Sequence, residues 1–511
     1  MTGPLHVVWF KRDLRITDHK PLTMARAEGL VLPLYIAEPE FWTQPDASGR
    51  QWQFVAESLL ELQAMLTSKG QPLCIMVGDA VQIFKRLHES HGIAAIWSHQ
   101  ETGNGWTYAR DLAVASWTNR TNIPWHEFRQ FGVIRRLRTR NGWSRAWDRD
   151  MAEPQSLAPE YLELVAGSWP TRIPTAAELG LSADNCPHPQ KGGRKEGLAT
   201  LESFLGYRGF DYRYQMSSPV TAFEASSRLS PHLTWGTISM REVAQATWAR
   251  LRELDGTDDP NAIAWRRSLI SFSGRQHWHC HFMQKLEDDP RIEFDNLHPA
   301  YNGLRPDNVD QQLLSAWSEG ATGYPFIDAC MRALNQHGWI NFRMRAMLVS
   351  FASYDLWLPW RATGLCLARK FIDYEPGIHW SQVQMQSGTT GINTIRIYNP
   401  IKQSLDQDPK GIFIRAFVPE LDAVPDAFIH KPWLWPGAEN QNYPPPIVDH
   451  TKATRAARDA IAIIRKSESH QQTVGKILDK HASRKTTSLK SRRKRKSATQ
   501  TSTEKQLLLD V

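Results

Sequence analysis

The sequence predicts two domains of different class, an α/β domain with a parallel five-stranded sheet at residues 1–135 and an all-α domain at residues 201–440. Three observations support this. In the first part, short apolar runs alternate with amphipathic helical stretches, which is typical of repeated βαβ units. In the second part, apolar residues recur every three or four positions almost throughout. A chain of 511 residues is also too long for one ordinary core, so we expect at least two.

The five predicted strands are the apolar runs HVVWF, LVLPLYIAE, PLCIMVGD, IAAIWSHQ and IPWHEF. Between them, Trp52 to Lys69 and Ala80 to His91 carry apolar residues at helical spacing, so successive strands should be parallel. Such sheets bind ligands at the carboxyl ends of their strands. Because neither a GxGxxG nor a P-loop pattern is present, this order of elements does not by itself indicate a dinucleotide or ATP.

Two further segments complete the predicted organisation. Residues 136–200 are rich in Pro, Gly and charge, which predicts a long interdomain connection. Residues 441–511 form a C-terminal extension, with one helical segment from Thr454 to Ser467 and then a basic tail. The tail has almost no apolar residues and should be disordered, because it cannot offset its ordering entropy. It is either simply solvated or a non-specific contact to nucleic-acid phosphates.

Charge, cysteine content and hydropathy indicate which cofactors and which cellular location to expect. The formal net charge is +8, but residues 480–496 hold nine Lys and Arg and no acidic residue, so the remainder is close to neutral. The five cysteines show no CxxC pair, which argues against a zinc site or a disulfide framework and leaves an iron-sulfur cluster only if distant ligands converge. We predict no metal. We also predict a cytoplasmic protein, since neither a signal peptide nor a membrane-spanning apolar run is visible.

Residues 226–239, SSRLSPHLTWGTIS, have the composition of an anion-binding segment. Ser226, Ser227 and Ser230 offer hydroxyl and backbone donors, Arg228 adds a cation, and a helical pattern follows. Serine clusters also cap helices without binding any ligand. These residues alone therefore leave a phosphate site and ordinary helix capping both open.

The chain resembles the cryptochrome and DNA photolyase family in four ordered segments: VVWFKRDLRITDHKPL, SRLSPHLTWGTIS, ATGYPFIDACMRALNQHGWINFRMR and RIYNPIKQSLDQDPKGIFIRAFVPEL. The resemblance extends from about residue 5 to residue 435. It implies that the α/β domain is an antenna domain and that the all-α domain is an FAD-binding domain holding a U-shaped FAD. The implied activity is blue-light photochemistry.

The resemblance also implies a set of FAD contacts. Arg345 and Asp373 fall where the family keeps an ion pair beside the isoalloxazine ring, and a fixed cation there favours the anionic reduced flavin. Without the resemblance they would be an ordinary ion pair. Glu375 stands where the family often has a second Asp. The other implied contacts are Tyr214, Ser226, Ser227, Arg228, Leu229, Ser230, Arg275, Asn341 and Tyr374.

For the lesion, the family extrudes a damaged pyrimidine pair onto a tryptophan, and Trp278 is the best match in this chain. Stacking on an aromatic contributes about 1 to 3 kcal/mol per base. The alternative is that Trp278 only anchors the core. Gln403 resembles a position that reaches the DNA backbone.

Photoreduction in the family runs along a chain of tryptophans. Trp360 matches its middle member, Trp380 is a substitute displaced in register, and Trp357 is an alternative exit. The chain is two residues shorter before Trp380 than the family pattern, and this removes an asparagine near the flavin. Phe342 replaces another asparagine of the site, so redox tuning should differ from that of the family.

The first functional hypothesis is light-driven repair of cyclobutane pyrimidine dimers in DNA by electron transfer from reduced FAD. The alternative is a blue-light photoreceptor without repair activity. A (6-4) photolyase is less favoured, because Ile340, Asn341 and Phe342 stand where two histidines would be expected. A second, antenna chromophore, a folate or a deazaflavin, is expected near His99 and the two residues that follow it. The expected partner is UV-damaged DNA, and the protein should be a monomer.

Overall fold

The computed structural model describes residues 4–440 and 442–481. The sheet strands are β1 (Leu5–Phe10), β2 (Leu30–Ala37), β3 (Cys74–Val77), β4 (Ile93–His99) and β5 (Trp125–Phe128). They form one sheet in the order β3-β2-β1-β4-β5, and every neighbouring pair is parallel. The predicted five-stranded parallel sheet is confirmed.

Helices cover both faces of this sheet: α1 (Lys20–Glu28), α2 (Pro39–Trp42), α3 (Gly49–Ser68), α4 (Ala80–His91) and α5 (Gly105–Thr121). Along β1 the side chains alternate between two cores, so that Val7 and Trp9 pack on one side while Val8 and Phe10 pack on the other. A strand buried on both sides is apolar almost throughout, and this explains the nearly continuous apolar runs in the sequence.

The strand order reverses at β1, whose neighbours are β2 and β4. The connections leaving β1 and β4 therefore diverge, and the chain segments that follow these strands border a cleft at the carboxyl edge. Lys11, Arg12 and Asp13 follow β1, and Gln100 and Glu101 follow β4. This edge faces the second domain.

The segment 136–200 is more than a connection. It contains α6 (Trp143–Ala152), whose Trp143, Trp147 and Met151 pack with Leu201 and Phe204 in one core of the helical domain. The amphipathic spacing of these three side chains explains why a helix forms in a segment otherwise rich in turns. The first part of the predicted connection is thus a component of the helical domain.

The rest of the described chain is helical, which confirms the predicted fold class. The helices are α7 (Arg194–Ser203), α8 (Tyr212–Gln215), α9 (Pro219–Ala225), α10 (Ser230–Thr234), α11 (Met240–Glu253), α12 (Pro260–Asp288), α13 (Gln311–Glu319), α14 (Pro325–His337), α15 (Phe342–Ser350), α16 (Trp360–Lys370), α17 (Pro376–Ser387), α18 (Pro400–Gln407), α19 (Ile412–Phe417), α20 (His450–Lys466) and α21 (Glu468–His481). Two π-helical turns, Phe204–Arg208 and Phe351–Asp355, follow α7 and α15.

The C-terminal extension begins as a docked element. Helix α20 is longer than predicted, and its Ala457 and Ile461 pack with Tyr301 and Tyr354. The basic tail, predicted to be disordered, lies outside the described residues. Within the described residues, no helix is both long and apolar enough to cross a membrane.

Candidate functional site

The centre of the candidate site is an ion pair between a partly exposed arginine and a buried carboxylate. Arg345 Nη2 lies 2.8 Å from Asp373 Oδ2, and the Asp373 side chain is 3% exposed. The guanidinium is fixed from two further directions, because its Nε donates to Ile340 O at 2.8 Å and its Cζ lies 4.0 Å from the Phe371 ring centroid. The structure therefore forms the pair that the sequence indicates, with a cation held in one orientation.

Two buried acceptor atoms beside this pair lack partners. Asp373 Oδ1 and Asn341 Oδ1 make no hydrogen bond, although both are shielded from solvent. The Asn341 amide is not free to turn, because its Nδ2 donates to Met216 O and Ser217 O. Each unsatisfied buried acceptor costs about 1 to 3 kcal/mol. These acceptors suit a ligand that brings N–H donors, as the pyrimidine edge of a flavin does.

Arg228 supplies a second buried cation. Its backbone is left-handed, with φ 59°, and its Cζ lies 4.1 Å from the ring centroid of Trp339. Burial lowers the pKa of Arg228 to about 10, although Asp373 acts in the opposite direction. Trp339 Nε1 donates to Ser230 Oγ at 3.3 Å, which connects this segment to the helix start at Asn341. A desolvated guanidinium flanked by serines fits the diphosphate of FAD.

The remaining predicted FAD contacts differ in burial and in the direction of their side chains. Leu229 is buried in the helical core, and Arg275 lies beside the buried Tyr212. Tyr214 is 62% exposed. Tyr374 turns towards the α/β domain, where its hydroxyl donates to Asp46 Oδ2 at 2.7 Å.

Glu375 lies at the domain boundary. Its Oε2 is 3.5 Å from Arg12 Nη2, and its buried Oε1 has no partner. Burial raises the pKa of Glu375 to about 7, although the charge of Arg12 acts to lower it. The carboxyl group therefore changes its charge near neutral pH.

Trp380 and Trp360 form the aromatic contact expected of a tryptophan chain. Their ring centroids are 5.8 Å apart at an interplanar angle of 75°. Trp380 is fully buried against Gly364 of α16, and Trp360 Nε1 donates to Asn296 Oδ1 at 2.7 Å. Trp357 instead packs in the cluster under α20.

The two predicted DNA contacts lie on different helices. Trp278 is half-buried on α12, and its ring contacts are with His281 and Phe282 of the same helix, at 5.3 Å and 5.4 Å. Gln403 is buried on α18, and its Oε1 has no partner. The contacts of neither side chain connect it to the Arg345–Asp373 pair.

A small cavity of about 20 Å³ lies between the domains at the carboxyl edge of the sheet, and it is lined by Arg12, Asp13, His99, Glu101 and Glu375 among others. This is where the sequence predicts the antenna chromophore. Asp13 Oδ2 bonds two histidines beside this cavity, with His19 Nε2 at 2.9 Å and His99 Nδ1 at 2.7 Å. Burial lowers the pKa of His99 to about 3, so its ring is neutral. These three side chains thus form a hydrogen-bonded cluster.

Comparison with known proteins identifies the family. Residues 6–140 match the family model DNA photolyase, and residues 272–462 match the FAD binding domain of DNA photolyase. A deoxyribodipyrimidine photo-lyase of Escherichia coli is 30% identical, over 89% of this chain and 98% of its own length. The chain belongs to the DNA photolyase family. Its second domain is the FAD-binding domain of that family.

Solved photolyase structures agree with this assignment. A bacterial class III photolyase from Agrobacterium tumefaciens superposes with a TM-score of 0.79 and 27% identity, over 91% of this chain and 98% of that one. An archaeal photolyase from Sulfolobus tokodaii, solved with two FAD molecules, gives a TM-score of 0.74 and 26% identity, over 90% and 100%. The whole described architecture is thus that of a photolyase.

The sequence reasoning missed several residues that build the site. Arg12 was part of a recognised segment but had no assigned role, and Trp339, Phe371 and Asn296 were not singled out. Their roles depend on contacts between distant segments. Only the aromatic character of Trp339 and Phe371, close in sequence to Asn341 and Asp373, gives a local signal for them.

Proposed function

We propose that this protein repairs cyclobutane pyrimidine dimers in DNA under light. The observation that carries the proposal is the Arg345–Asp373 ion pair, whose buried carboxylate keeps one oxygen, Oδ1, without a partner, as does the buried Asn341 Oδ1. Reduced FAD, when bound, supplies the electron that opens the cyclobutane ring and accepts it again afterwards. The site requires neither a nucleophile nor a metal for this chemistry.

The residues of the chain contribute binding, orientation and charge. Arg345 places a fixed cation where it favours an anionic ligand, and Asp373 holds that cation in place. Arg228 and the neighbouring serines bind the diphosphate. Trp380 and Trp360, in contact with each other, pass electrons inwards from the protein exterior.

The proposed substrate is UV-damaged DNA. Trp278 stacks on the extruded lesion, because it is half-buried and its indole can cover a pyrimidine face. Gln403 donates its side-chain amide to the DNA backbone, which requires this buried side chain to become exposed when DNA binds. The basic tail adds a salt-sensitive contact to phosphates. We further propose a monomeric, cytoplasmic protein with an antenna chromophore bound at the carboxyl edge of the sheet, next to the interdomain cavity.

The test is a repair assay with an oligonucleotide that contains one thymine dimer. Reduced protein is illuminated with blue light, and the recovery of thymine absorbance is compared with a dark control. We expect light-dependent recovery that Trp278→Ala abolishes and Trp278→Phe partly retains. Trp169→Ala, in the connecting segment 136–200 far from the flavin residues in sequence, is the matched control and should repair normally. Equal repair by Trp278→Ala and wild type would exclude the proposed stacking role.

A photoreceptor without repair activity is the second candidate. The observation that bears on it is the contact between the flavin-binding helices and α20, most of which lies within the family match that ends at residue 462. His450, the first residue of α20, has its Nδ1 2.5 Å from Asp355 Oδ1. Asp355 ends the π-helical turn between α15, which carries Arg345, and Trp360. A structural change that accompanies flavin photoreduction would therefore be transmitted to the C-terminal extension through this turn. Bound, photoreducible FAD without any dimer repair in the assay above would support this function instead.

A further inference from the structure

The carbonyl groups of the loop that presents Asp373 all accept hydrogen bonds from side chains. Four consecutive carbonyl oxygens accept side-chain hydrogen bonds: those of Phe371 from Gln51, of Ile372 from Trp235, of Asp373 from Thr234 and of Tyr374 from Arg12, at 3.1, 3.0, 3.4 and 2.7 Å. Two of the four donors belong to the α/β domain. The flavin site is therefore built in part by the other domain.

Arg12 makes the most extensive of these contacts. Its Nε donates to Thr234 O at 3.1 Å and its Nη2 donates to Tyr374 O at 2.7 Å. The same guanidinium lies over the Trp235 ring at 4.9 Å and is 3.5 Å from Glu375 Oε2. Its planar fork thus joins the end of the SSRLSPHLT segment to the Asp373 loop, which a lysine ammonium cannot do in the same way.

The backbone of Arg12 is itself fixed. Gln130 Nε2 donates to Arg12 O at 2.6 Å. Gly236 packs so closely that an added Cβ would lie 2.2 Å from Arg12 O, and its φ of 68° also favours glycine. The guanidinium therefore projects across the domain boundary from a rigid point.

We propose that Arg12 is a positioning residue of the flavin site: it fixes the loop that carries Asp373 and controls the charge of Glu375. The inference rests on the proposed function in that the ligand is FAD. Arg12 is not a catalytic residue, because its contacts are with the loop and not with the reacting groups. The α/β domain then contributes to flavin chemistry as well as to light collection.

The charge of Glu375 depends on a small set of groups. Arg12 is the nearest cation, while Glu101 opposes ionisation, and Asp13 and His99 line the same cavity. On the α12 side Glu375 faces the thiol of Cys280, whose pKa is raised by burial. Because Arg12 favours the ionised carboxylate, its removal should raise the pKa of Glu375 above its present value of about 7.

The test uses the full-length apoprotein and measures its dissociation constant for FAD by flavin fluorescence between about pH 6 and pH 8.5, a window centred on the Glu375 pKa. Arg12→Met should weaken binding about tenfold or more, as expected for the loss of charged hydrogen bonds. Arg12→Lys should recover part of the affinity, because it keeps the charge but not the fork. The wild-type profile should inflect near pH 7, at a higher pH in Arg12→Met, and not at all in Glu375→Gln.

Arg26→Met is the matched control, since Arg26 is also an arginine of the α/β domain that donates to a carbonyl oxygen outside it, that of Tyr161, but is exposed. It should bind FAD like wild type. Thermal unfolding of each apoprotein shows whether a variant is merely unstable. Wild-type affinity and an unchanged pH profile in Arg12→Met would overturn the inference, as would an equal loss in Arg26→Met. If wild type itself binds no FAD, the proposed function is wrong. This result differs from the two outcomes above, which overturn only the role of Arg12.

Discussion

The contact between Trp380 and α16 depends on a glycine, which makes Gly364→Ala a sharp perturbation of the tryptophan pair. A Cβ at Gly364 would lie 2.5 Å from Cζ3 of Trp380. Since carbon atoms pack at about 3.5 Å or more, the indole must move by about 1 Å. Alanine favours a helix interior by about 1 kcal/mol, whereas overpacking costs about 1 to 3 kcal/mol. The net expectation is a loss of stability of about 0 to 2 kcal/mol.

Gly364→Ala should affect the rate of flavin photoreduction more than it affects the free energy of unfolding. Trp380 and Trp360 now meet at 5.8 Å between ring centroids, and α16 carries both Gly364 and Trp360. Pushing the Trp380 indole away from α16 widens the gap across which the electron passes. We expect photoreduction of bound FAD, followed by loss of its oxidised absorbance under blue light with an external thiol, to slow markedly while FAD affinity is kept.

The matched control is Gly475→Ala on α21, where an added Cβ meets no atom within 4 Å. This change should give the same gain in helix propensity, about 1 kcal/mol, without altering photoreduction. Denaturant unfolding of both apoproteins measures the change in their free energy of unfolding separately from photoreduction. Wild-type photoreduction in a folded Gly364→Ala protein would refute the argument that the Trp380–Trp360 geometry matters.

Three further predictions concern Trp360, Asp373 and Lys285. Trp360→Phe should abolish most photoreduction but leave repair by chemically reduced protein intact, which separates the two processes in one assay. Asp373→Asn removes the charged partner of Arg345 and should weaken FAD binding about tenfold to a hundredfold in a fluorescence titration. Burial lowers the pKa of Lys285 to about 8, so the unfolded chain binds the extra proton between pH 8 and 10.5 and stability rises with pH across that window. Lys285→Met should therefore stabilise the apoprotein by about 3 kcal/mol at pH 7, and by less as the pH rises, in urea titrations.

The sheet and its helices can be predicted from the sequence because local residue patterns determine these elements. The three central strands, β1, β2 and β4, are largely apolar runs that are buried on both faces, and the helices between strands carry their own periodicity and caps. Asp79, for example, accepts from Gln82 N at the start of α4, and Gly92 ends that helix with a φ of 70°. Long-range contacts were not needed to predict these elements.

The site was predicted only in part, because side-chain direction depends on distant partners. Arg345 and Asp373 meet as expected, and Trp380 contacts Trp360 despite its displaced register. Tyr374 was predicted to contact FAD, but the structure places its hydroxyl on Asp46, 328 positions away in sequence. A single sequence holds no information on such a pairing, and the placement of Tyr374 could only come from the docked domains.

The placement of Tyr374 and Arg12 has a consequence for how the two domains act together. The cavity at the carboxyl edge of the sheet is lined by Arg12 and Glu375, and these side chains also contact each other and border the loop of Asp373. A chromophore in that cavity would therefore touch the same guanidinium that fixes the flavin loop. Its binding would desolvate Arg12 and Glu375 further and so shift the charge of a carboxyl group next to the flavin site. If a chromophore binds at this cavity as proposed, one arginine couples its site to the flavin site.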